Sequence, residues 1–115
     1  AGRTERSGKA IGLMRDIALS AAAETDLRSI WRFSLENWGE AQADLYLDEL
    51  DKGMRRCGED PDSGKRRDFI REGYRSALIR KHVVFYTFDE DRVLIQRVLH
   101  GSMDPGRHLP DAGDG

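Results

Sequence analysis

The side chains best suited to chemistry in this chain lie between positions 75 and 108. Arg75, Arg80, Lys81 and Arg97 are cations, and Tyr86, His100 and His108 can carry protons. Those are the ingredients of phosphodiester cleavage, which needs a general base, a general acid and positive charge to stabilise its transition state. A metal centre fits less well. His82, His100 and His108 form no close pair, and Cys57, the only cysteine, brings no second thiol to help them. A nucleotide site is no better supported, because Gly58 and Gly64 stand apart without the Lys-Ser or Lys-Thr that completes a phosphate loop. No cofactor and no metal are expected. Cys57 reads as a small buried apolar residue that forms no intrachain disulfide.

Charge argues against the nuclease reading. A protein that grips nucleic-acid backbone needs a clear positive excess, because phosphate neutralisation supplies most of its affinity; this chain has a net charge of −2. The charge is uneven along the sequence: residues 21–59 hold nine acids against five bases, and residues 60–82 hold seven bases against four acids. At 115 residues one domain with one core is expected. Its 38% apolar and 35% charged residues suit a small domain with much surface for its core. No apolar run approaches the ~20 residues that span a bilayer, and no charged-then-apolar leader opens the chain. A cytoplasmic protein without membrane contact is expected.

The elements that must position these residues follow from periodicity. Residues 1–13 are rich in breakers and lack a period, which predicts a flexible arm, with Met14 as a natural start. Arg15–Leu19 alternates like a strand with one buried face. From Ala21 the spacing of Ala23, Leu27, Ile30, Trp31, Ser34 and Trp38 predicts an amphipathic helix, with Ser20 as N-cap and Gly39 just past its end. A second stripe through Ala43, Tyr46, Leu47, Leu50, Met54 and Cys57 ends at Gly58, so the two helices fold back as a hairpin. After the breakers at Pro61–Gly64, the runs Tyr74–Ile79, Val83–Phe88 and Val93–Leu99 have strand chemistry and short connections, which makes them antiparallel neighbours. The fold class is therefore α+β: an N-terminal strand, a helical hairpin, then a three-stranded antiparallel sheet.

Strict alternation puts Val84, Tyr86 and Phe88 opposite Val83 and Phe85, and Val93, Ile95 and Leu99 opposite Leu94 and Val98. Both sheet faces are thus partly apolar, and two helices cover only one. Either a partner chain, a self-association surface or the N-terminal arm covers the other face, or a twisted sheet and folded-back termini hide both.

In this order the residues resemble the RelE/ParE superfamily, most closely its ParE branch, from about Arg15 to Leu109. The first helix carries the resemblance with Ala23, Asp26-Leu27, Ile30 and Trp38-Gly39, the second with Gln42-Ala43, Tyr46 and Leu50. Pro61 and Gly64, Gly73-Tyr74-Arg75 and His82-Val83-Val84-Phe85-Tyr86 continue it. Its most specific part is Ile95-Gln96-Arg97-Val98-Leu99-His100-Gly101, then Met103-Asp104 and Arg107-His108-Leu109. The resemblance implies a βααβββ toxin domain over residues 14–109, with 110–115 as a flexible tail. It implies a toxin that inhibits DNA gyrase, stalls replication with broken DNA and is neutralised when the C-terminal segment of a ParD-like antitoxin folds onto it.

RelE-like relatives instead cut messenger RNA on the ribosome. That branch is more basic and commonly places a Tyr near its C-terminus, whereas no Tyr follows Tyr86 here. A non-catalytic inhibitor is therefore expected, without direct nucleic-acid binding. Contacts with antitoxin or gyrase are expected from Trp31, Trp38, Arg75, Arg80, Tyr86, Arg97, His100, Met103 and Arg107, with the stretch around His100, Met103 and Arg107 engaging the target. For Trp31 and Trp38 the alternative is core packing, and for Arg75 and Arg97 it is pairing with helix acids such as Glu24 or Asp44.

Overall fold

The computed structural model describes residues 15–110. The arm expected over 1–13, the start at Met14 and residues 111–115 of the expected tail lie outside the described residues. Strand β1 (Asp16–Leu19) leads into helices α1 (Ala21–Trp38) and α2 (Glu40–Glu59). Four strands follow: β2 (Lys65–Arg66), β3 (Arg75–Ile79), β4 (His82–Phe88) and β5 (Arg92–His100). They form one sheet in the order β1-β5-β4-β3-β2. β1 runs parallel to β5 and the other neighbours are antiparallel.

The expected α+β arrangement is present, and capping chemistry explains its boundaries. Ser20 Oγ accepts the Ala23 N–H at 3.0 Å and donates to the Gln96 carbonyl at 2.8 Å, so one hydroxyl both starts α1 and ties it to β5. Gly39, at φ 90°, adopts the left-handed backbone that lets α1 end and α2 begin without a connecting loop. Ala23, Ile30, Leu50, Met54 and Cys57 from the helices then pack on Ile79, Val84, Tyr86, Val93, Ile95 and Val98 of the sheet. Trp31 and Trp38, which continue the α1 stripe in sequence, lie outside this core with 37% and 59% of their surface exposed.

Alternation fails inside β5. Phe85 pairs with Arg97 but Tyr86 pairs with Ile95, so Gln96 is an extra residue, a β-bulge that reverses the parity of everything after it. Val98 therefore joins the helix-side core, and Leu99 crosses to the opposite face, the reverse of their expected sides. The edge here changes partners: β1 stops at Leu19, and Ser20 and Asp26 take over the β5 backbone groups beyond Ile95.

The second sheet face is not bare. Tyr74, Phe85, Leu99 and Leu109 form a buried cluster with Ile70 and Val83 packed against it. Residues 105–110 fold over this face, held where Arg71 donates to the Gly106 carbonyl, Arg97 to the His108 carbonyl, and the Tyr74 hydroxyl to the Pro110 carbonyl. The folded-back terminus, not a partner, covers that part of the sheet. The stretch after Leu99 is accordingly less polar in role than it reads, since Leu109 is a core residue.

Candidate partner-binding groove

On α1, Ile30, Phe33, Ser34 and Trp38 recur at helical spacing along one side. Ile30 and Ser34 are buried, whereas Phe33 and Trp38 leave 58% and 59% of their surfaces in solvent, packed edge to face at 5.6 Å. Two large aromatics held in that state leave an apolar patch in solvent, a feature associated with interaction surfaces. They form one wall of a groove of about 660 Å³. Gln42 and Tyr46 of α2 also line it, and Arg80, Lys81, His82 and His100 make up its sheet-side end.

That end is positioned by a two-residue turn. Arg80 joins β3 to β4 at φ 57°, a left-handed conformation that costs a non-glycine residue about 1 kcal/mol. Arg80 Nε lies 3.3 Å from Glu49 of α2. The Tyr46 hydroxyl accepts the Lys81 backbone N–H at 3.2 Å and meets His82 Nδ1 at 2.6 Å. While the hydroxyl oxygen accepts from Lys81, its own proton is available for the shorter contact, which pairs with the His82 tautomer that carries its ring proton on Nε2. The His82 and His100 rings meet edge to face at 5.4 Å. Burial, then the neighbouring His100, holds the His82 pKa below the usual histidine value, while Asp26 acts weakly against them.

Of the nine expected contact residues, three line this groove: Trp38, Arg80 and His100. Trp31 lies on the flank of the hairpin, its indole N–H donating to Asp44 at 3.2 Å. Met103 is partly exposed on the loop after β5, and Arg107 is exposed beside Asp104. The other three serve the fold. Arg97 makes a double hydrogen bond to Asp26, at 2.7 and 2.8 Å, in a largely buried site. Arg75 donates to the Asp62 and Gly64 carbonyls, pairs with Asp62 and lies over the Phe88 ring. Both arginines do pair with acids, but with Asp26 and Asp62 rather than Glu24 or Asp44.

Tyr86 is fully buried, and its hydroxyl donates to the Pro61 carbonyl at 2.7 Å. Burial above all pushes its pKa up to about 12, so it keeps its proton at neutral pH. The proton carriers and cations that suggested phosphodiester chemistry are therefore divided: Arg80, Lys81 and His100 share the groove, whereas Tyr86 is in the core and Arg97 is committed to Asp26. Phe33 and Tyr46 also line the groove and were not among the expected contact residues. A large aromatic next to, but not on, the main α1 stripe was the available signal for Phe33.

The sequence matches the family described as "ParE toxin of type II toxin-antitoxin system, parDE" over residues 17–105. It is 41% identical to Toxin ParE1 of Caulobacter vibrioides over 96 residues, covering 84% of this chain and 99% of that protein. It is 39% identical to Toxin ParE1 of Mycobacterium tuberculosis strain H37Rv over 92 residues, covering 79% and 94%. Toxin ParE of Escherichia coli is 32% identical over 94 residues, covering 81% and 91%. In fold, the chain is similar to a structure titled "Chromosomal ParDE TA system from P. aeruginosa", with a TM-score of 0.67 over 76% of this chain and 97% of that one, at 14% identity.

Proposed function

The chain belongs to the ParE toxin family of type II toxin–antitoxin systems, and on that footing we propose that it inhibits DNA gyrase by docking and is silenced by a ParD-like antitoxin. The acting unit is residues 14–109, and the place of action is the cytoplasm. Among the described residues no helix is long and apolar enough to cross a membrane.

The observation that supports this reading best is the groove walled by exposed Phe33 and Trp38. Its apolar wall suits an amphipathic segment that folds on binding, the behaviour of a helix seated in a groove. The antitoxin is the occupant we assign to it, because the groove's basic end complements an acidic segment. Gyrase is assigned to the loop around His100, Met103 and Arg107, which is exposed next to that end.

The test is a binding measurement with the antitoxin encoded by the neighbouring gene. Phe33→Ala and Trp38→Ala are expected to weaken the complex at least about tenfold, as buried aromatic anchors do. Their stability should move by no more than about 0.5 kcal/mol, since both side chains are exposed in the free toxin. Equal affinity in both variants would remove the groove from the reading. The same protein added to translating ribosomes should leave messenger RNA intact; cleavage would favour the RelE-type endonuclease instead.

A further inference from the structure

We infer that the groove end formed by Arg80, Lys81, His82 and His100 is a carboxylate-binding subsite, which takes one acidic side chain of the antitoxin segment whose apolar residues lie along Phe33 and Trp38. The inference rests on the antitoxin occupying the groove.

The hydrogen-bonding inventory of this end is one-sided. His82 Nδ1 is occupied by the Tyr46 hydroxyl, and in the tautomer that accepts the hydroxyl proton Nε2–H is that ring's remaining donor. His100 Nδ1 accepts the Ser102 backbone N–H at 3.1 Å, so its ring proton is likewise on Nε2. Arg80 and Lys81 add cations that can only donate. The Tyr46 hydroxyl, the acceptor among them, is already used from both sides. A site that offers donors and positive charge, next to an apolar wall, selects an anionic acceptor on an otherwise apolar segment.

Backbone chemistry points the same way. The Arg80 position favours glycine, asparagine or aspartate, yet it holds an arginine at φ 57°. The charge facing this end from each packed element is limited. α2 contributes Tyr46 and Glu49, the latter beside Arg80 with its side chain 35% exposed; α1 contributes Asp26, which is committed to Arg97; β5 contributes His100. Glu49 neutralises part of Arg80 in the free toxin, and an incoming carboxylate meets Lys81 and the two imidazoles without an acid between them.

The experiment is a double-mutant cycle on the full toxin–antitoxin complex. Each acidic residue in the C-terminal half of the neighbouring antitoxin is changed in turn to its amide, against toxin carrying Arg80→Gly, His100→Gln or Trp38→Ala. One acidic position is expected to weaken binding at least about tenfold in the unmodified toxin, with that loss largely absent in Arg80→Gly or His100→Gln. Arg80→Gly relieves the backbone strain, so its melting temperature should hold or rise while affinity falls. A carboxylate at the subsite also favours protonated His82, so affinity should increase as pH falls from about 8 to about 6, and His82→Gln should flatten that slope.

If Trp38→Ala weakens binding but no acidic position couples to Arg80 or His100, the subsite is refuted and the groove reading stands. If neither Trp38→Ala nor Arg80→Gly changes affinity, the groove reading itself fails and takes the subsite with it. Displacement of the antitoxin by a short single-stranded oligonucleotide at physiological salt would assign this end to phosphate and overturn the carboxylate.

Discussion

Asp26 does three jobs with one carboxylate. It accepts from Arg97 Nε and Nη2 and from the Val98 backbone N–H, at 2.7, 2.8 and 2.9 Å. Removing it strands a largely buried guanidinium and an edge N–H together, the situation in which loss of one partner costs most. Asp26→Ala is expected to destabilise the fold by about 2–4 kcal/mol, read as a fall in melting temperature of about 10 °C or more. A shift under about 2 °C would show the pair to be ornamental to the fold.

His82 supplies a second expectation at this scale. Its folded pKa lies below the usual value, so the unfolded chain binds the proton more readily. Stability from this group is fully present above about pH 6.5 and is lost as pH falls toward the folded value. Thermal melts between pH 7.5 and 5.5 should show that decline, and His82→Gln should reduce it. Asp68 and Asp89, whose carboxyls are held low by backbone N–H donors, lose their contribution only below about pH 4, so the two effects separate. The chemical types at these positions were readable in the sequence. Their partners were not, because Arg97 and Asp26 lie 71 residues apart and meet only around the edge of β5.

Among the elements, packing of α2 on the sheet depends on the absence of a side chain. A Cβ at Gly53 would overlap the Cδ1 and Cγ1 atoms of Ile79 on β3. Gly53→Ala should improve helix propensity by about 1 kcal/mol yet overpack a tight contact at a cost of about 1–3 kcal/mol. The expected net change is a lower midpoint in denaturant, and a higher one would contradict the close approach. Periodicity and capping residues made both helices and the three long strands legible. β2 was not, because Lys65-Arg66 is two exposed charged residues whose strand character comes only from pairing with Arg75 and Ser76. Nor was the bulge at Gln96, since nothing in the alternation of β5 signals an extra residue; the Ser20 and Asp26 contacts that accompany it come from another part of the chain.

For the whole molecule, the architecture and the family were legible, and the surface open to partners was misplaced. Two apolar sheet faces suggested a bare sheet, whereas residues 105–110 cover the second face around Tyr74, Phe85 and Leu99, and an open apolar surface lies instead in the groove beside α1. A local pattern cannot say which chain segment will fold back. Cutting the chain after Leu99 would therefore expose Tyr74, Phe85 and Leu99, and loss of activity in such a fragment would report unfolding. Met103→Ala with Arg107→Ala leaves Leu109 in place, and is expected to weaken gyrase inhibition while antitoxin affinity stays within about threefold.

The decisive measurement is a supercoiling assay with purified DNA gyrase and the purified chain, with and without its antitoxin. Supercoiling should be blocked by the chain alone, restored by stoichiometric antitoxin, and not restored by antitoxin when the toxin carries Phe33→Ala and Trp38→Ala. Full supercoiling in the presence of excess folded toxin, at concentrations where the antitoxin binds it, would contradict gyrase as the target.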